Sequence, residues 1–264
     1  MSSEIIKFYD KYPENFVETI IKNSVKNLTD EKLINQTTNH IKRIYCNNFI
    51  KINWWKITNL KKWDFINKSL KAIKKDKPKY LEIGAFRNEN FNKINTTNKI
   101  SVDPDPKSFP TFIGTSNEFF RNNSEKFDVI FIDGLHTFEQ CRIDAINALE
   151  CLNTNGYLFL HDLVPRNFIE EYIPCITGIW TGDVWKVSVE LSKTKGVKFS
   201  VILADHGLGM LQKINDDVEY FNIDEIKLRN SSFKDFFELN KSVNYQNSES
   251  IFNEIKKKKK FKNF

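Results

Sequence analysis

The chain of 264 residues has no run of about twenty apolar residues, so no membrane span is expected. Its first residues, MSSEIIKFYDKYPENF, lack a basic stretch followed by an apolar one, and a cleaved export signal is not expected either. Cysteine is scarce. Cys46, Cys141, Cys151 and Cys175 form no C-x-x-C pair, and Cys141 and Cys151 fall in a helix-like stretch with the wrong spacing for a zinc knuckle. Free thiols in a reducing, cytoplasmic setting are the expectation, which makes the Asn-x-Ser/Thr matches such as Asn27-Leu-Thr chance products. Nine glycines and seven prolines exclude a collagen-like or low-complexity chain. Arginine, the residue that forks best onto phosphate, is also rare.

What is abundant is lysine, asparagine and isoleucine, a bias typical of AT-rich coding sequence, together with 23 phenylalanines in a chain that is 40% apolar. That supply can bury a sizeable core, and the length suits one large domain or one core with extensions. The net charge is +6. Lys256–Lys260 and Lys262 carry all of it, so the rest of the chain is balanced, and a terminal block of like charge reads as a solvated tail. With no RNA-binding module and no aromatic–basic interleaving, a specific nucleic-acid partner is not expected.

Residues 1–77 read as a helical N-terminal extension in which Trp54, Trp55 and Trp63 anchor the segment to a core. From Tyr80 the texture changes to short apolar runs separated by helical stretches, the pattern of a parallel α/β sheet. The runs are Tyr80–Ile83, Ile100–Val102, Phe112–Ile113, Val129–Ile132, Tyr157–Leu160, Val197–Leu203 and Met210–Ile214. Between the fourth and fifth, TFEQCRIDAINALECL reads as a helix turning Phe138, Cys141, Ile146, Leu149 and Leu152 to the sheet, with Asn155-Gly156 as its stop. The last two runs flank the turn-rich DHGLG and should pair as an antiparallel hairpin. The expected division is an N-terminal extension (1–77), a core (78–217) and a helical C-terminal extension with the basic tail (218–264). The extensions leave open a homodimer contact or a cover over the site.

Chemistry gathers where the runs end. The first ends Glu82-Ile83-Gly84, the second Asp103-Pro104-Asp105, the fourth Asp133-Gly134-Leu135-His136 and the fifth His161-Asp162. In an open parallel sheet, ligands bind outside the carboxyl ends of the strands. Gly84 permits a tight turn, and Asp103, about 20 residues after Glu82, is placed to accept hydrogen bonds from ribose hydroxyls. A dinucleotide fold wants G-x-G-x-x-G, whereas Gly84-Ala85-Phe86-Arg87-Asn88-Glu89 keeps only the first glycine. A cofactor without phosphates needs less close backbone approach, and S-adenosylmethionine is such a cofactor.

The segments YLEIGAFRNENF (80–91), SVDPDP (101–106), GTSNEFF (114–120), FDVIFIDGLHTFEQ (127–140), NGYLFLHDLVP (155–165) and GDVWK (182–186) resemble class I S-adenosylmethionine-dependent methyltransferases. Within them they are most similar to the sugar and small-molecule O-methyltransferases of polysaccharide biosynthesis, the macrocin O-methyltransferase-like group. The resemblance spans roughly residues 78 to 215. It implies a Rossmann-like α/β fold with a seven-stranded, mostly parallel sheet and helices on both faces. It also implies that Glu82 and Gly84, with Phe86 in the same loop, shape the methionine end of the cofactor site. Asp103 would hold the ribose, Thr115 and Ser116 would lie near the adenine, and Asp133 would lie near the cofactor's amino group or the substrate. Phe86 and Asn88 stand where many such enzymes have glycine; Asn88 tolerates left-handed backbone, while Phe86 departs from the pattern.

Methyl transfer to a sugar hydroxyl needs alignment and a base, a metal, or both. Asp133, His136, His161 and Asp162 are the candidate catalytic residues. Asp133, His161 and Asp162 are the candidate ligands of a divalent cation, with magnesium the first choice because such relatives bind it at matching strand ends. A histidine among them suits Mg²⁺ less well than a third oxygen ligand. His206 reads as a hairpin residue. Trp180, Asp183 and Trp185, after the fifth strand, are candidates for stacking on and hydrogen-bonding a sugar or nucleotide-sugar acceptor, with core packing the rival reading for both tryptophans. Two other functions stay open: a metal-dependent small-molecule hydroxylase on the same scaffold, and an RNA-modifying methyltransferase suggested by the basic tail.

Overall fold

The computed structural model describes residues 7–9, 14–45, 49–51, 58–176, 178–221 and 225–257. Trp54, Trp55, Cys46 and the tail beyond residue 257 lie outside them. In chain order the elements are β1 (Lys7–Tyr9), α1 (Glu14–Val25), α2 (Glu31–Tyr45), β2 (Phe49–Lys51), α3 (Lys62–Ala72), β3 (Tyr80–Ile83), α4 (Glu89–Asn92), β4 (Lys99–Asp103) and β5 (Phe112–Ile113). There follow α5 (Ser116–Asn122), β6 (Phe127–Ile132), α6 (Phe138–Cys151), β7 (Leu152–Leu160), α7 (Phe168–Glu171), α8 (Trp185–Leu191), β8 (Val197–Leu203) and β9 (Leu208–Lys213). The chain closes with α9 (Glu225–Arg229), α10 (Phe236–Leu239), β10 (Tyr245–Asn247) and α11 (Ser248–Lys257).

The main sheet runs β5-β4-β3-β6-β7-β9-β8-β10. Only β9 opposes the others: it pairs antiparallel with β7 and with β8, while the remaining neighbours are parallel. The sheet therefore has eight strands where seven are expected. The extra one is β10, which the C-terminal segment lays along the edge of β8; YQN is too short and polar to announce itself as a strand. The N-terminal segment, expected as helical, also carries the small antiparallel ribbon β1–β2.

Side chains alternate across the sheet and define two apolar layers. Leu81, Ile83, Ile130, Ile132, Leu158 and Leu160 face α6 and α8 through Ala145, Ala148, Leu149 and Val187. Tyr80, Val129, Phe131, Tyr157 and Phe159 face α3 and α11 through Phe65, Ile66, Leu70, Ile251 and Ile255. Every residue of β3 and β6 is buried, which is why these strands read as continuous apolar runs. In α6 the buried stripe is Phe138, Cys141, Ala145, Ala148 and Leu149, with Ile146 only half-buried. Asn155-Gly156 does not stop that helix. The chain passes from α6 straight into β7, and Asn155, at φ +66°, sits where the pairing with β6 shifts register between Phe127 and Val129. The pair thus builds a bulge inside the strand.

Candidate active site

The strand order reverses between β3 and β6, and a cavity of about 720 Å³ opens at the carboxyl ends there. Its floor is a relay of backbone bonds that continue the ladder past the strands: Gly84 N–H to Val102 O (2.9 Å), Asp133 N–H to Ile83 O (2.8 Å), Gly114 N–H to Asp103 O (3.0 Å) and His161 N–H to Ile132 O (3.1 Å). Gly84 has φ +86°, and a Cβ on it would lie 2.0 Å from the Asp133 carbonyl oxygen. Only glycine allows the two strand ends to touch at this point.

One side of the cavity is built by the loops after β3, β4 and β5. Asp103 Oδ2 accepts from Phe86 N–H (2.8 Å) and Oδ1 from Asp105 N–H (2.9 Å), so this carboxylate ties the loops after β3 and β4 together. Phe86 and Asn88 both adopt left-handed backbone, at φ +45° and +57°. Asn88 adapts readily and donates through Nδ2 to the Ser108 carbonyl. Phe86 keeps its ring 70% exposed at the cavity edge. Thr115 caps α5, exchanging hydrogen bonds with Glu118, and Ser116 Oγ accepts from Gln140 Nε2 (3.2 Å). Val102, Pro104 and Leu135 supply apolar wall.

Glu82 does not line the cavity. It is 1% exposed beneath it, where Oε2 accepts from Tyr80 Oη (2.5 Å) and Asn90 Nδ2 (2.8 Å). Burial pushes its pKa up to about 7 against those hydrogen bonds. Its place is under the loop after β3.

The other side is a charged cluster. Asp133 Oδ1 lies 3.4 Å from His136 Nε2 and 3.3 Å from His161 Nδ1, and Asp133 Oδ2 lies 3.0 Å from Lys62 Nζ. Asp162 Oδ2 is 3.5 Å from His136 Nδ1 and 3.2 Å from His161 Nδ1. Asp205 Oδ2 is 3.7 Å from His161 Nε2. These are ion-pair distances; neither ring nitrogen of the buried His161 makes a well-formed hydrogen bond. Burial disfavours a charged imidazole, yet the carboxylates outweigh it and raise His136, and His161 more strongly. Burial likewise opposes an ionised Asp133, but His161 and Lys62 hold its pKa well below the usual range. Asp162 takes left-handed backbone (φ +61°), an uncommon conformation for a residue other than glycine.

Trp180 joins the cluster from the segment after α7. Its ring stacks on His136 with centroids 5.1 Å apart and planes at 27°, and its carbonyl accepts from His136 Nδ1 (3.0 Å). Asp183 and Trp185 are placed elsewhere. Trp185 is 0% exposed in the core, donating through Nε1 to Glu171 Oε1 (2.7 Å). Asp183 accepts from Phe138 N–H (2.7 Å) and Lys186 Nζ (2.7 Å), and lines a separate cavity of about 430 Å³. His206 belongs to the β8–β9 turn, where Asp205, His206 and Gly207 all have positive φ.

The cation donors also regroup. Asp133, His136 and Asp162 each offer one atom within 4.8 Å of the others, so His136 stands where His161 is expected. Two carboxylates and one imidazole fit a divalent cation. Lys62, Asp205 and Gln140 are site residues that the sequence reading does not single out. Lys62 is one of a great many lysines and carries no local signal, while Gln140 lies at the end of FIDGLHTFEQ and is legible there.

Residues 79–163 match the family model of a methyltransferase domain. The chain carries a methyltransferase domain. It is an enzyme, an S-adenosylmethionine-dependent methyltransferase. CalS10, an amino pentose methyltransferase from Micromonospora echinaspora involved in calicheamicin biosynthesis and solved with SAM bound, is 13% identical, with 58% of this chain and 92% of that chain covered and a TM-score of 0.42. An O-methyltransferase from Bacillus cereus in complex with SAH is 11% identical over 75% of this chain and 99% of that chain, at a TM-score of 0.42. The O-methyltransferase TomG from Streptomyces achromogenes is 10% identical over 77% and 100%, at 0.44. No curated protein matches the chain. Likenesses this distant do not speak to what this chain acts on. Among the described residues no helix is long and apolar enough to cross a membrane.

Proposed function

We propose that the protein transfers the methyl group of S-adenosylmethionine to a hydroxyl of a sugar, either nucleotide-activated or part of a glycan precursor. The observation that carries this reading is the two-sided cavity, with Asp103 and the α5 N-terminus at one side and the Asp133–His136–His161–Asp162 cluster at the other. The bound cofactor would supply an electrophilic methyl on a sulfonium. Gly84 and Phe86 would shape the methionine end, Asp103 would receive the ribose hydroxyls, and Thr115 and Ser116 would meet the adenine. On the acceptor side, Trp180 offers an apolar face for a sugar ring, and the Asp–His pairs take up the proton that the acceptor hydroxyl loses as its oxygen gains the methyl. Asp133, His136 and Asp162 would hold a divalent cation, whose chemistry would be to lower the pKa of that hydroxyl.

A hydroxylase is less well supported, because the compact donor group has one imidazole and two carboxylates, the reverse of the two-histidine, one-carboxylate set of iron oxygenases. Calorimetry with S-adenosylhomocysteine, followed by methyl-transfer assays over a panel of nucleotide sugars, tests the proposal. Saturable binding and transfer to a sugar oxygen are expected. Failure to bind either form of the cofactor at millimolar concentration would sink it.

A further inference from the structure

Most of the charged cluster is built by strand ends of the methyltransferase domain, but one of its cations comes from outside the matched segment. Lys62 stands at the start of α3, and its ammonium lies 3.0 Å from Asp133 Oδ2 and 5.6 Å from the centre of the Phe131 ring. Its own backbone N–H points to Asp205 Oδ2 (3.4 Å), and the neighbouring Lys61 Nζ lies 4.0 Å from Asp205 Oδ1. The helix that carries it is fixed by the fully buried Phe65 and Ile66, and Asp64 Oδ2 accepts from Lys61 N–H (2.8 Å) at its first turn. A lysine on a free surface loses much side-chain entropy when held in one geometry. Here the stem starts from a fixed helix, and its ammonium ends on Asp133 and over the Phe131 ring.

The position of the ammonium matters for what else can bind. Asp133 Oδ1 faces both imidazoles, and Oδ2 carries the Lys62 ammonium. A divalent ion on Asp133, His136 and Asp162 would share that carboxylate with Lys62 and feel a full positive charge at close range in a half-buried setting.

We propose that Lys62 is a positioning residue of the methyl-transfer site, a tethered counter-cation that orients Asp133 and sets how tightly the Asp133–His136–Asp162 group holds a divalent ion. The site then holds Asp133 in one orientation before any metal arrives, and α3 is a working part of it. This rests on reading the cluster as the acceptor side of a methyltransferase.

Mn²⁺ binding to the full-length protein, followed by the electron paramagnetic resonance of the free ion without cofactor, tests the inference in wild type, Lys62→Met, Lys62→Gln and Lys62→Arg. Removing the charge should tighten Mn²⁺ binding roughly tenfold or more in both the Met and Gln variants. A guanidinium restores the cation, so Lys62→Arg should stay within about threefold of wild type. In turnover the uncharged variants should lose kcat while KM for S-adenosylmethionine holds. Equal Mn²⁺ affinity in wild type and in whichever uncharged variant folds would overturn the inference, as would an equal gain in Lys62→Arg. Failure of the broader reading shows separately, as absence of S-adenosylhomocysteine binding in the wild type.

Discussion

Replacing Gly84 by alanine probes the contact on which the proposed cofactor site is built. A methyl group there would stand 2.0 Å from the Asp133 carbonyl oxygen, 2.5 Å from its carbon and 2.8 Å from the Gly134 Cα. All three are backbone atoms at the end of β6, so none can swing aside as a side-chain tip would. The backbone adds a second cost, because φ +86° is left-handed and disfavours alanine by roughly 1–2 kcal/mol. Overpacking in a close-packed site typically costs about 1–3 kcal/mol more. The sum, about 2–5 kcal/mol, corresponds to a Tm lower by roughly 5–15 °C for a chain of this size. Thermal scans with and without S-adenosylhomocysteine, paired with calorimetry, read both consequences. The variant should melt early and gain less from the ligand, since ligand stabilisation follows occupancy and a site about tenfold weaker gives up about 1.4 kcal/mol at a given excess. Gly178→Ala is the matched control, since a Cβ there meets nothing within 4 Å, and its Tm should stay within about 2 °C of wild type. If Gly84→Ala kept both the wild-type Tm and the wild-type affinity, the touching ends of β3 and β6 would not be what shapes the pocket.

Glu82 and Glu171 make stability depend on pH. Burial raises each to about 7 from an ordinary 4.5, so the folded chain holds these protons more tightly than the unfolded one. Their contribution is full below about pH 4.5 and is lost as the pH rises through 7. Glu82→Gln cannot ionise, so its Tm relative to wild type should rise between pH 5 and pH 8; a constant difference would refute the assignment. Because Asp133 and Asp162 hold His136 and His161 above the usual histidine range, a histidine base loses its proton at higher pH than an ordinary imidazole, and kcat should keep climbing as the pH rises past that range. A flat profile would remove both from that role. Trp180→Ala deletes the ring stacked on His136 but keeps the carbonyl that orients it, so acceptor kcat/KM should fall roughly 2- to 10-fold with S-adenosylhomocysteine affinity unchanged. Equal loss of cofactor affinity would place Trp180 on the wrong side of the cavity.

The central sheet is legible because its strands are buried on both faces, and FDVIFI or YLFL then has little alternative to being a strand. The hairpin is legible from DHGLG. What escapes is set by contacts distant in sequence. YQN becomes a strand only because β8 offers an edge to pair with, and Asn155-Gly156 reads as a helix stop unless one knows that β7 must slip by a bulge to pair with β6. Trp185 shows the same limit at the site. A tryptophan after the fifth strand suits a sugar platform or the core equally, and the choice falls to Glu171, whose buried carboxylate receives the indole N–H.

The charged cluster joins these levels. Strand ends are ordered by sheet topology, so Asp133, His136, His161 and Asp162 can be gathered from sequence alone, by asking which residues follow each apolar run. The charges that balance them obey no such rule. Lys62 arrives on a helix that precedes the first core strand, and Asp205 on a turn that follows the matched domain, each held by packing far from its own position in the chain. His161 and Lys62 together hold Asp133 ionised, and Asp205 adds a third carboxylate beside His161. In the proposed reaction the strand ends would supply the groups that react, and Lys62 and Asp205, from outside the matched segment, would set the charge around them.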